Sequence, residues 1–304
     1  MENLKLNVNV AGVHFKNPLI AASGTFGFGL EYKDYIDLNQ LGGISVTGLT
    51  LEPRKGNPPP RIVETPSGIL NSVGLQNPGV EYFIESVLPE LKQYNTIIIA
   101  NINGNSLDEY CHMASRLQQA DIHMLELNLS CPNVKQGGVS FGTDPKMVYS
   151  ITKAVKKHSY QPLVVKLTPN VTDITEIALA AQQGGADAIS LVNTFLGMAI
   201  DVKTRRPVLG NITGGLSGPA IKPIALRMVW QVSKVVDIPI IGMGGIMTGQ
   251  EVVEFLLAGA TAVSVGTANL VSPNSMIEIL NELKNYMVNN KIFDIHELIG
   301  GLIV

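Results

Sequence analysis

The stretch PIIGMGGIMTGQEVVEFLLAGATAVSVGT, residues 239–267, contains two short apolar runs that each end in glycine, joined by a segment with helical spacing. In that segment Val252, Phe255, Leu256 and Gly259 fall on one stripe of a helix. A strand, a covering helix and a second strand form the repeating unit of a parallel sheet. The stretch therefore predicts a β-α-β unit.

Similar apolar runs recur along nearly the whole chain, and most are continuous, which is typical of strands covered on both faces. The eight runs are PLIAAS (18–23), GISVTG (43–48), TIIIANI (96–102), HMLELNLS (123–130), PLVVKLTP (162–169), AISLVNT (188–194), PIIGMGG (239–245) and AVSVGT (262–267). Strand and helix repeated without a change in composition predict one (β/α)8 TIM-barrel domain spanning residues 1–304. A doubly wound open sheet is the alternative, because a sequence pattern does not show closure.

Composition excludes several classes of function. The chain has 304 residues, 15% charged residues and a formal net charge of −3, which does not indicate a nucleic-acid binder. No apolar run approaches the roughly 18 residues of a membrane span, and the N-terminus alternates too often with polar residues for a signal peptide. Two cysteines and five scattered histidines predict neither a disulfide framework nor a metal site. We therefore expect a cytoplasmic protein.

Two long insertions follow strands of the predicted barrel. They span residues 49–79, with little helical pattern, and 195–219. Loops of this length are more often functional than idle, and both would emerge at the carboxyl ends of the strands, where barrel enzymes build their sites. We expect these insertions to cover an active site.

The residues predicted at the mouth of the barrel are rich in amides and poor in carboxylates. This composition excludes paired-acid hydrolysis and suits a planar neutral heterocycle with its own donors and acceptors. GMGGI and SVGT follow strands seven and eight, where barrels commonly bind phosphate through backbone N–H groups. GMGGIM has Met247 where a dinucleotide fingerprint needs its last glycine, so binding of NAD itself is not expected.

One lysine and the two cysteines can each have a chemical or an ordinary structural role. Lys166 lies in a strand between Val165 and Leu167, where burial is costly unless the cation meets an anion or an electron-rich partner; the alternative is a lysine that reaches solvent at the rim. Cys111 lies on the apolar stripe of a predicted helix and is assigned to packing. Cys131 follows a strand in a polar loop, where a thiol can act as a general base.

A family resemblance is carried by motifs that occur in order along the chain. They are NSVGLQNPG, NLSCPNVKQGGVSFGTDP, VVKLTPN, NTFLGM, TGGLSGPAIKP, IIGMGGI and SVGTANL. With these motifs the sequence resembles the class 1 dihydroorotate dehydrogenases. GNPPPR and the Lys-x-Gly-Gly after the cysteine are similar to the NAD-linked branch of the family rather than the fumarate-linked one.

The resemblance implies a barrel that holds FMN and oxidises dihydroorotate to orotate in pyrimidine biosynthesis. Cys131 matches the base that removes a proton from C5 while hydride passes from C6 to flavin N5. The positions that match substrate-binding residues are Asn71, Ser72, Val73, Gly74, Leu75, Asn128, Asn193 and Thr194. The positions that match FMN-binding residues are Ser23, Thr47, Gly48, Asn101, Asn128, Lys166, Val192, Gly218, Gly244, Gly245, Gly266 and Thr267.

The NAD-linked branch also implies a partner subunit that carries FAD and a 2Fe-2S cluster, in a heterotetramer of two of each subunit. The chain departs from the family at Thr47, where a lysine is usual. Two alternatives therefore stay open: a related FMN barrel that acts on another pyrimidine, and a flavin-binding scaffold with impaired turnover.

Overall fold

The computed structural model describes residues 4–129, 135–136 and 139–304, with side chains described for 4–129 and 141–304. Within these residues, eight parallel strands form a closed barrel in chain order. They are β1 (Leu19–Ala21), β2 (Gly43–Ser45), β3 (Ile97–Ile102), β4 (Met124–Asn128), β5 (Leu163–Lys166), β6 (Ala188–Leu191), β7 (Ile240–Met243) and β8 (Ala262–Val265). Each strand lies inside one of the eight predicted runs. Pairing of β8 with β1 and of β4 with β5 closes the barrel, so the TIM-barrel prediction is confirmed and the open sheet is wrong.

Helices cover the outside of the barrel and bury their apolar stripes against the strands. The α-helices of the described residues are α1 (Val80–Tyr82), α2 (Leu88–Leu91), α3 (Leu107–Leu117), α4 (Pro145–Lys156), α5 (Ile174–Gln183), α6 (Lys222–Ser233), α7 (Gly249–Leu257), α8 (Ala268–Val271) and α9 (Ser275–Asn289). A π-helical turn, Phe83–Val87, joins α1 to α2. None of the described helices has both the length and the hydropathy needed to cross a bilayer.

The first repeat of the barrel departs from the expected strand-helix pattern. After β1 the described chain forms only two 3-10 turns, Leu30–Tyr32 and Leu38–Gln40, before β2 begins. Gly24, Gly27 and Gly29 precede these turns with φ values of 83°, 55° and 96°. Positive φ is incompatible with a right-handed helix, so the segment crosses the barrel end as a loop.

The two long insertions pair with each other. Phe195–Met198 and Thr213–Ser217, from the second insertion, form an antiparallel sheet with Gly68–Asn71 and Ile62–Thr65, from the first. The strands of the two insertions meet where Gly215 pairs with Asn71 and Ser217 with Ile69. This four-stranded sheet, here called the cap sheet, leads back into β6 through Asn193 and Thr194.

Candidate active site

Strand register places a set of polar side chains inside the barrel. Asn101 of β3 pairs with Glu126 of β4, while Lys166 of β5 pairs with Asn128 on one side and Ser190 on the other. Paired residues of parallel strands point to the same face, and side chains alternate between faces along each strand. The carboxyl ends of β3 to β6 therefore direct polar groups into the interior.

Glu126 lies at the centre of this polar layer and is only 4% exposed. Its Oε2 accepts hydrogen bonds from Ser45 Oγ at 2.8 Å and from Asn101 Nδ2 at 2.6 Å, and its Oε1 accepts from Ser190 Oγ at 2.8 Å. The donors come from β2, β3 and β6. One carboxylate thus joins four strands of the barrel, and its hydrogen bonds offset the cost of burial.

Three asparagines extend the network toward the mouth. Asn101 Oδ1 accepts from Asn103 Nδ2 at 3.0 Å and lies 3.5 Å from Asn128 Nδ2. The hydroxyl of Tyr110, on α3, donates to the Asn128 carbonyl at 2.8 Å. Asn103 is 1% exposed, and its Oδ1 has no hydrogen-bond partner among the described residues. The amides are therefore held by defined partners before any ligand binds.

Lys166 is the buried cation of the site. Its side chain is 4% exposed, and it forms no hydrogen bond or ion pair with any described residue. A solvated lysine at the rim is therefore wrong. Burial of an ammonium group costs several kcal/mol unless an anion or acceptor compensates it. Lys166 is thus a strong candidate for a group that contacts an anionic or electron-rich ligand.

The ends of β7 and β8 present backbone donors. In the described part of the chain, the N–H groups of Gly244, Gly245, Gly266 and Thr267 donate to no backbone or side-chain acceptor. Gly244 and Gly245 have φ values of 127° and 77°, which L-residues with a side chain rarely adopt. Gly218 lies against Thr267, whose Oγ1 donates to Ser217 Oγ at 2.9 Å. Convergent N–H groups of this kind bind phosphate.

The substrate-binding positions predicted from the sequence lie on the cap sheet and its connections. Asn71 ends a cap strand and its Nδ2 lies 3.3 Å from the Gly215 carbonyl, while Thr194 packs against Gly215. Asn57 Nδ2 donates to Ser72 Oγ at 3.0 Å. Val73, Gly74, Leu75 and Asn193 are half-buried, and both Gly74 and Leu75 have positive φ. The cap sheet therefore brings Asn71 and Thr194 together at Gly215, while residues 72–75 form the connection that follows Asn71.

Four predicted FMN-binding positions line the ends of β1, β2 and β6. Ser23 and Thr47 are half-buried, and the Thr47 N–H donates to the Gly27 carbonyl at 2.9 Å. A Cβ at Gly48 would lie 2.5 Å from Asn103 Nδ2, so the backbone needs glycine there. Val192 is buried, and its N–H donates to the Met243 carbonyl at 3.0 Å.

The structure describes one of the two cysteines, Cys111. Cys131, the predicted base, lies outside the described residues. Cys111 is 8% exposed on the buried face of α3, and burial, followed by the charge of Asp108, raises the pKa of its thiol. A buried thiol with a raised pKa is a poor nucleophile and a poor base near neutral pH. Its assignment to packing agrees with the structure.

The sequence analysis missed Glu126, Ser45, Ser190 and Asn103. Glu126 stands two residues before Asn128, and Ser45 two residues before Thr47, so the alternation of a strand places each on the same face as a predicted site residue. That alternation was the available signal for these two. The contacts themselves depend on register between strands that are distant in sequence.

Comparison with known proteins agrees with this geometry. A family model described as dihydroorotate dehydrogenase matches residues 5–287. The chain is 60% identical over 302 residues to the dihydroorotate dehydrogenase B (NAD(+)) catalytic subunit of Alkaliphilus metalliredigens, covering 99% of this chain and 100% of that protein. It is 59% identical to the subunit of the same name from Alkaliphilus oremlandii, with the same coverage, and 56% identical to that from Thermoanaerobacter pseudethanolicus, covering 98% and 99%.

Proposed function

The chain belongs to the dihydroorotate dehydrogenase family, and from this membership we propose that it oxidises dihydroorotate to orotate in pyrimidine biosynthesis with bound FMN. Residues 1–304 would act as one FMN-binding barrel domain in the cytoplasm. The observation that carries the proposal is Lys166, a lysine at 4% exposure without a described partner, on the interior face of the barrel beside Asn128.

The residues present fit FMN. The N–H groups at the ends of β7 and β8, with Gly218 beside them, would bind its phosphate, because they lie at the ends of two adjacent strands without another described acceptor. Lys166, Asn101, Asn128 and Val192 would hold the flavin ring. Ser23, Thr47 and Gly48 complete the proposed cofactor set at the ends of β1 and β2, the strands that lie between β8 and β3.

The substrate would lie between the amide network and the cap sheet. Asn71, Asn128 and Asn193 have the donors and acceptors to bind the ring N–H and carbonyl groups of dihydroorotate, and Ser72, Thr194 and the segment 73–75 would close around it. Such fixed amides orient the ring before reaction, which lowers the entropic barrier.

Proton removal is assigned to Cys131 by the family resemblance. As a thiolate, its Sγ would take the proton from C5 of dihydroorotate, and a double bond forms between C5 and C6. Bound FMN would accept the hydride that leaves C6.

The acceptor of the electrons is proposed to be NAD, reached through a partner subunit. The relatives carry both NAD(+) and "catalytic subunit" in their names. A 2Fe-2S cluster usually needs four cysteine ligands, and this chain has two cysteines, so the cluster and FAD would belong to the partner. We propose a heterotetramer of two of each subunit.

The test is anaerobic reduction of bound flavin. Addition of dihydroorotate to the purified, FMN-loaded chain should bleach the visible flavin absorbance, whereas dihydrouracil, which lacks the carboxylate, should bleach it far more slowly. NAD added to the reduced chain alone should not restore the absorbance. An FMN-loaded chain that dihydroorotate leaves oxidised contradicts the proposal, and rapid reoxidation by NAD contradicts the need for a partner.

A further inference from the structure

Glu126 is a buried carboxylate to which neither the family resemblance nor the proposed reaction gives a role. It forms no ion pair with any described residue, and its three hydrogen-bond donors are two serine hydroxyls and one amide. A carboxylate could be replaced by apolar side chains if it only filled space. The presence of a carboxylate at the centre of the polar layer therefore needs another explanation.

The geometry around Asn101 supplies one. An ionised carboxylate only accepts hydrogen bonds, so Asn101 must turn its Nδ2 toward Glu126 and its Oδ1 away. That Oδ1 then meets two donors, Asn103 Nδ2 at 3.0 Å and Asn128 Nδ2 at 3.5 Å. A 180° rotation of the Asn101 amide would place its Nδ2 against both of these donors. One orientation of Asn101 therefore satisfies all its neighbours.

We propose that Glu126 is a positioning residue, which fixes the direction of the Asn101 amide and so turns the Asn101 Oδ1 toward Asn103 and Asn128. Among the described residues, the hydrogen-bond partners of Glu126 are protein side chains: Ser45, Asn101 and Ser190. Glu126 acts because Asn101 and Asn128 present donors and acceptors to the ligands in one pattern only, and a reversed amide would offer a donor where an acceptor is needed. The inference rests on the proposed function for its binding readout.

The two oxygens of Glu126 are not equivalent. Oε2 receives two donors, of which the Asn101 amide nitrogen cannot accept a hydrogen bond in return. From the part of the chain that the structure describes, Oε1 receives one donor, the Ser190 hydroxyl, which can rotate and accept. A glutamine can therefore keep its carbonyl toward Asn101 and donate its amide to Ser190. Glu126→Gln therefore preserves the orientation of the Asn101 amide although it removes the charge at position 126.

Glu126→Gln and Glu126→Leu separate direction from charge, with Ser190→Ala as the matched control that removes one donor but leaves Asn101 its acceptor. Orotate is titrated against flavin absorbance in each FMN-loaded protein, with FMN content measured. We expect Leu to weaken orotate binding about tenfold or more, the value of one charge-assisted hydrogen bond, while Gln and Ser190→Ala stay within about threefold of the parent. The inference is overturned if Glu126→Gln binds orotate as weakly as Glu126→Leu, or if Glu126→Leu binds orotate as tightly as the parent protein.

A second pair of variants protects the test against a Leu variant that fails to fold. Asn101→Asp places a carboxylate against Glu126 and should lower the urea midpoint; adding Glu126→Gln restores a donor and should recover at least half of that loss. No recovery overturns the inference. A parent protein whose flavin spectrum does not respond to orotate contradicts the proposed function instead, and the urea midpoints then still decide the role of Glu126.

Discussion

Replacement of Lys166 by methionine tests the buried cation most directly. Methionine matches the length of the lysine stem but carries neither charge nor donor. Since Lys166 is 4% exposed and has no described partner, the FMN-free protein bears the cost of a buried unsatisfied group. That cost is at least about 1 to 3 kcal/mol and is larger for a charged group, so Lys166→Met should raise the free energy of unfolding of the FMN-free protein by at least about 1 kcal/mol.

The FMN-loaded protein should respond in the opposite direction. A charged hydrogen bond is typically worth about 1.5 to 3 kcal/mol, so loss of Lys166 should weaken FMN binding by roughly 10- to 150-fold. FMN stabilises the folded state in proportion to the logarithm of its concentration over its Kd, so the variant should gain less from added FMN than the parent. Lys166→Met should therefore stabilise the FMN-free protein and weaken its binding of FMN.

The assay is urea unfolding at neutral pH with and without FMN, together with FMN titration by quenching of flavin fluorescence. Lys157→Met is the control, because Lys157 is exposed at the end of α4 and should change both quantities by less than about 0.5 kcal/mol. Lower stability of the FMN-free Lys166→Met protein, with FMN affinity unchanged, would refute the reasoning and assign Lys166 a structural role.

Four further substitutions give three independent tests. Cys131→Ala should keep FMN but slow flavin reduction by dihydroorotate at least about 100-fold, the usual share of a general base, while Cys111→Ala should leave the rate unchanged; stopped-flow absorbance measures both. Thr47→Lys should tighten orotate binding about tenfold or more through a second charged hydrogen bond, and unchanged orotate titrations at equal FMN content would show that the pocket compensates elsewhere. Thr152→Val should raise the free energy of unfolding by about 1 kcal/mol, because the fully buried Thr152 Oγ1 has no hydrogen-bond partner among the residues that the structure describes; a lower urea midpoint would contradict this.

The barrel was predictable because its strands are buried on both faces. Continuous apolar runs such as PLVVKLTP and AISLVNT contain β5 and β6, although the strands end two to three residues before the runs do. The first repeat was less predictable, since a helix was expected where glycines at positive φ form a loop. Pairing of the two insertions into the cap sheet was not predictable either, because it depends on register between segments more than 120 residues apart, such as Asn71 and Gly215.

Residues of the candidate site were predictable where a single strand ends in a polar or charged side chain. Asn101, Asn128 and Lys166 were predicted from their place at the carboxyl ends of their own strands. Asn103 escaped notice because it follows β3 in a turn, and its contact with Asn101 depends on side-chain orientation. The contact between Ser190 and Glu126 could not be predicted without the order of the strands around the barrel, because Ser190 lies on β6 and Glu126 on β4, with β5 between them. Sequence patterns assign side chains to faces, whereas hydrogen bonds across the barrel require closure.

Glu126 and Lys166 are the two buried charged side chains among the described residues, and they differ in how the protein compensates them. This difference assigns Glu126 to the scaffold and Lys166 to the ligand-binding groups. Glu126 has three donors from the protein and needs no ligand, whereas Lys166 has no described partner. Together they leave the interior near neutrality before an anionic cofactor and substrate enter. Thr47 fits this balance, because a lysine there would add a second buried cation to the ligand-free barrel. We therefore expect Thr47→Lys to lower the stability of the FMN-free protein while it tightens orotate binding; equal stability would show that position 47 reaches solvent.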